Sequence, residues 1–231
     1  MASISETSFG KKLENAQALA THLQSFNNYA ELNAELSVAN LSNKVQELLS
    51  NNALVASKLQ SYSISVEAKQ NVFTKQSNSI TKIVTPVVAN VRSIYGKSSK
   101  EVEIVSSYIA KIRGIKVAKS NVTDEPNAVS QSERSYGTML QTFSDLIVAL
   151  ESLGTNYMPA NSEFSIANLK QKRDLAMQFN TTSIADFGQL KMARETRTTK
   201  YEALSALCQR LKETVKAQYG KIGRASCRER V

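Results

Sequence analysis

The residues able to do chemistry are few and scattered. His22 is the only histidine, and Cys208 and Cys227 are the only cysteines. Zinc sites of the usual His/Cys type need four such ligands, or three and a water, close together, and the spacing here does not provide them. His22 falls in an amphipathic stretch and reads as a surface or boundary histidine. Cys208 occupies an apolar position and reads as a small core hydrophobe. Di-iron bundles need inward carboxylates and Glu-x-x-His pairs, and the sequence has no such pair. Glu67, Glu101 and Glu103 therefore read as solvated helix faces. No phosphate-loop, dinucleotide-binding or nucleophile-elbow motif occurs. These readings give no catalytic, cofactor-binding or metal-binding residue, and the expectation is a protein that is not an enzyme.

The remaining chemistry is charge. The chain carries a formal +9 at pH 7. Its densest basic group is Lys97, Lys100, Lys111, Arg113, Lys116 and Lys119, the candidate contacts for a polyanion. Smaller groups are Lys170, Lys172 and Arg173, then Lys191, Arg194, Arg197 and Lys200. A basic face attracts nucleic acid or anionic lipid without sequence specificity. Acidic residues are interleaved among these cations, so weak binding at most is expected.

The elements that must carry these residues read as helices. With 8 Gly and 3 Pro in 231 residues, long stretches lack any breaker. Phe9, Leu13, Ala16, Leu19, Ala20, Leu23 and Phe26 recur at spacings of three and four, one apolar helix face. A second helix is expected from Asn33, with Val38, Leu41, Val45, Leu48, Val55, Leu59 and Tyr62 on a heptad-like seam interrupted by Asn52. It ends at Ser50-Asn51-Asn52 or at Ser61-Tyr62-Ser63. A third carries Phe73, Ile80, Ile83, Val84, Val87, Val91 and Ile94, with a kink or a new start at Pro86 and a stop at Gly96. A fourth follows the capping sequence Ser98-Ser99-Lys100-Glu101 and buries Val102, Val105, Ile109 and Ile112. No segment approaches the roughly 18 apolar residues of a membrane span. The N-terminus lacks the basic and apolar regions of a secretion signal, so a cytoplasmic address is expected.

The pattern then recurs. Ser5-Glu6-Thr7-Ser8-Phe9-Gly10 returns as Ser132-Glu133-Arg134-Ser135-Tyr136-Gly137, an offset of 127. The segment from Asn33 to Leu41 returns from Asn161 to Leu169 at 128, and Tyr95-Gly96 returns as Tyr219-Gly220 at 124. The fold expected is all-α: two tandem bundle-like repeats of long amphipathic helices, about four each, with the second truncated. Residues 1–114 form the first repeat, 115–131 a polar linker and 132–220 the second repeat. Residues 221–231 form a tail. From Lys221 the tail resembles a translated Illumina-type sequencing adapter, which makes it artefactual and the chain a truncated fragment. On this reading residues 1–128 fold alone and the second half, lacking its fourth helix, is unstable.

The motif residues Ser5 to Leu13, Asn28-Tyr29 and Asn33 to Leu41, matched by Ser132 to Leu140, Asn156-Tyr157 and Asn161 to Leu169, resemble an uncharacterised group of tandem-repeat helical proteins from Bacteroidota. That resemblance implies a bacterial source and no particular activity. The function expected is a non-enzymatic scaffold that binds a protein partner or itself. The alternative is a nucleic-acid-binding accessory protein using its basic helix faces.

Overall fold

The computed structural model describes residues 8–26, 29–114 and 135–220. Among them it is all-α, with six helices and no strand: α1 (Phe9–Ser25), α2 (Val38–Gln70), α3 (Ile80–Tyr95), α4 (Lys100–Arg113), α5 (Tyr136–Glu151) and α6 (Ile166–Tyr219). None is long and apolar enough to cross a membrane. The linker at 115–131 and the tail from Lys221 lie outside the described residues.

The helix starts follow from short polar caps. Ser8 Oγ accepts the Lys11 amide at 3.2 Å, Ser99 Oγ the Val102 amide at 3.3 Å and Ser135 Oγ the Thr138 amide at 3.1 Å. Each bond satisfies one of the donors a helix leaves free at its first turn. The second helix does not begin at Asn33. Asn33 caps a single 3-10 turn, Ala34–Leu36, and Ser37 then caps α2 by accepting the Asn40 amide at 3.0 Å. Asn161, the turn Ser162–Phe164 and Ser165 repeat this double start ahead of α6.

Neither expected break in α2 occurs. The helix passes through Asn51-Asn52 and Ser61-Tyr62-Ser63, because the polar groups there find partners without leaving it. Ser61 Oγ bonds back to the Ser57 carbonyl at 3.2 Å, and Asn52 bonds across to α6. The break falls instead at a π-turn, Asn71–Lys75, followed by Gln76–Ser79 before α3. The second half has no counterpart of those last four residues, as the fall in offset from 128 to 124 requires. There the helix runs on unbroken for 54 residues as α6. Pro86 is accommodated within α3.

The described helices belong to two compact units that interleave the sequence halves, a different partition from the one expected. One unit comprises Met1–Ser61 with Gly188–Val231 and the other Tyr62–Phe187. The first unit therefore combines α1 and the start of α2 with the end of α6. Its core holds Leu19, Leu23, Leu41, Leu48, Tyr201, Leu204 and Leu211. The second unit combines the end of α2, α3 and α4 with α5 and the start of α6. Its core holds Phe73, Ile80, Val84, Val91, Phe143, Leu146 and Leu150, and α4 buries Val102, Val105, Ile109 and Ile112 against α3 and α5. At about 1.5–3 kcal/mol for each fully buried large apolar side chain, contacts between the halves carry much of each unit's stability. Residues 1–128 taken alone would lack the core partners that the second half supplies to both units.

Candidate functional site

The most specific side-chain constellations are two matched triads that join the halves. In the first unit the Phe9 ring stacks on Tyr201, centroids 4.5 Å apart, and the Arg197 guanidinium lies 4.8 Å from the centre of the Phe9 ring. In the second unit Tyr136 meets Phe73 edge-on at 4.8 Å, and Lys69 Nζ lies 4.8 Å from the centre of the Tyr136 ring. Tyr136 stands 127 residues after Phe9, and Arg197 and Tyr201 stand 128 after Lys69 and Phe73. In each unit one half supplies the aromatic residue at the start of a short helix. The other half supplies a cation and a second aromatic four residues apart. A cation over a ring face and two rings in contact each add on the order of 1 kcal/mol when partly desolvated.

Polar bonds complete the triads. Tyr201, fully buried, accepts a hydrogen bond at its Oη from Asn52 Nδ2 at 2.8 Å. Lys69 Nζ donates to the buried Ser183 Oγ at 2.8 Å. These bonds tie α6 to α2 in both units.

A second recurring constellation locks the approach to each long helix. Tyr29 Oη donates to the Leu36 carbonyl at 3.1 Å, and Tyr157 Oη to the Phe164 carbonyl at 2.8 Å. Burial pushes the Tyr157 phenol up to about 12, so it stays a neutral donor. The Tyr-Gly stops recur in geometry too: the Gly96 amide bonds to the Arg92 carbonyl at 3.0 Å and the Gly220 amide to the Lys216 carbonyl at 2.9 Å, both glycines at positive φ.

Two surface clefts stand out among the described residues. One, of about 260 Å³ in the second unit, is lined by Asn78, Glu163, Asn168, Gln171 and Lys172 over Ile83 and Leu175. Lys172 Nζ donates to the Asn78 carbonyl at 2.5 Å, and desolvation holds its pKa below the usual lysine value. Asn78 belongs to the four residues without a counterpart in the second half. The other cleft, about 230 Å³ in the first unit, has Lys12, Asn15, Cys208 and Lys212 in its wall. The equivalents in the second unit are Met139, Thr142, Val84 and Val88, all buried where α4 packs on α3 and α5. Polar side chains at these places let the first unit keep this face in water.

Four members of the basic group expected to contact a polyanion are described, two toward each end of α4. Lys97 and Lys100 lie at the start of α4, and Lys111 and Arg113 at its end. Eleven residues of helix separate Lys100 from Lys111, about 16 Å. Arg113 is bonded to Thr85 Oγ1, and Lys111 lies 5.9 Å from the Tyr108 ring centre. Lys116 and Lys119 lie outside the described residues. In the other groups Lys170 pairs with Glu151 at 2.5 Å, Arg173 with Asp174 at 2.7 Å and Lys200 with Glu47 at 2.8 Å.

His22 sits in the last turn of α1, half-buried, where a basic group suits the helix dipole. Cys208 is half-buried and desolvation raises its thiol pKa, the opposite of what a nucleophile needs. Glu67 and Glu103 are exposed and Glu101 is partly so, and no cluster of metal-ligating residues occurs among the described residues. The triads escaped sequence reading because their members lie far apart in the chain. The matching offsets, 127 for Phe9 and Tyr136 and 128 for Lys69 and Phe73 against Arg197 and Tyr201, were their visible trace.

No family model, curated protein or solved structure matches the chain.

Proposed function

We propose that the protein is a non-enzymatic, cytoplasmic helical scaffold, built by duplication of one helical segment, that presents helix faces to a protein partner. The recurring caps, tyrosine locks and triads support the duplication. The observation that carries the scaffold reading is on α6 within the second unit. Met177, Ile184 and Phe187 are 53%, 63% and 50% exposed at helical spacings of seven and three. The Phe187 ring also meets Tyr62 at 5.4 Å, and partly exposed apolar side chains along one helix are the kind of surface a protein partner covers. The test uses the full chain as bait beside its Ile184→Lys variant. A partner retained by the first and lost by the second, at unchanged thermal stability, supports the reading. Equal retention contradicts it.

The nucleic-acid reading has less behind it, since the cations are paired or spread apart. Anisotropy with generic duplex DNA at about 0.15 M salt should give no saturation in the micromolar range. Micromolar binding that falls steeply with salt would promote that reading instead.

A further inference from the structure

The interleaving has a consequence for association. Both units are made by joining α1–α4 to α5–α6, and one covalent connection, residues 115–134, links these two parts. Every contact between the parts is thus equally available from a second copy of the chain. Phe9 meets a Tyr201 and Lys69 meets a Tyr136 whether or not both belong to one molecule. Within one chain the covalent link gives the two parts a high effective concentration for each other.

Direction matters as well. Arg113, at the end of α4, bonds to Thr85 in α3, and Lys69 and Phe73, shortly before α3, meet Tyr136 at the start of α5. The end of α4 and the start of α5 therefore lie toward the same end of the second unit. The two helices pack against each other in opposite directions. Antiparallel neighbours in one chain need a loop of at least about two residues to reverse the path.

We infer that the chain forms a segment-exchanged homodimer, in which α1–α4 of each copy completes both units with α5–α6 of the other, whenever the connection cannot fold back. The exchange needs no new interface, because each unit keeps its own contacts. The partner is a second copy of this chain.

The decisive variant deletes residues 115–134 and carries Gly114→Ala, which removes the αL stop at the end of α4. Light scattering should give twice the monomer mass with the helical circular dichroism of the parent. A folded monomer would overturn the inference. If the deletion does not fold, a second measurement decides. A protease site placed in the connector of the full-length chain is cut after folding. Under native conditions the two fragments should co-elute as one species, and they should part only in denaturant. Fragments that separate while each keeps its helical signal would overturn the inference, since the parts would then not depend on each other.

Discussion

The Phe9 ring stacks on Tyr201 at 4.5 Å, so the first helix of the described chain is held by the last. Tyr136 and Phe73 make the matching contact in the other unit at 4.8 Å. A double-mutant cycle at Phe9 and Tyr201, each changed to Ala and read by denaturant unfolding, should give a coupling of about 0.5–1.5 kcal/mol. The cycle at Tyr136 and Phe73 should fall in the same range. Additivity within error at both pairs would mean that the rings are neighbours without mutual support.

Asn52 shows why a polar residue on an apolar seam survives. Read from sequence as an interruption, it invites replacement by Leu for a gain in stability. Its amide is in fact the hydrogen-bond donor to the hydroxyl of fully buried Tyr201. Asn52→Leu should therefore cost about 1–3 kcal/mol, the penalty of a buried hydroxyl left without its partner. Adding Tyr201→Phe removes that hydroxyl and should recover most of the loss. Thermal unfolding of the two variants checks this, and a stabilised Asn52→Leu would refute the role given to the bond.

The helices were legible because three-and-four spacing states which face is buried, and Leu19, Leu23, Leu41, Leu48, Val84 and Val91 are all core residues. The same periodicity misplaced Leu59 and Ile94, which are 44% and 42% exposed. The end of α2 was hidden as well. Serines and asparagines that look like stops can bond backward or across, and the helix ends only at the π-turn Asn71–Lys75, ahead of Gln76–Ser79. What periodicity could not convey is which helix each face meets. A spacing pattern that recurs along the chain is silent on whether the helices pair within a half or across halves. The basic residues illustrate the same limit at the candidate site: Lys100 and Lys111 are near in sequence yet at opposite ends of α4.

Tyr157 links the fold to pH. Its phenol has an ordinary value of 10.0 and is raised to about 12 by burial. The raised folded value means that the contribution to stability is intact below pH 10 and is lost as pH climbs from 10 to 12. Tyr157→Phe also forfeits the bond to the Phe164 carbonyl, worth about 1 kcal/mol near neutrality. The stability gap between parent and variant should therefore narrow across pH 10–12 in urea unfolding. A constant gap would show that Tyr157 ionises as freely folded as unfolded.

The dependence of each half on the other is tested most directly by separating them. Residues 1–128 and 129–220 are expressed apart, and each is followed by circular dichroism, alone and mixed in equal amounts. Each alone lacks partners for its apolar faces, so weak helicity or non-cooperative melting is expected. Mixing should raise the helical signal beyond the sum of the two and restore a cooperative transition. Two halves that each melt cooperatively alone, with nothing gained on mixing, would contradict the interleaved units and return the chain to two independent repeats.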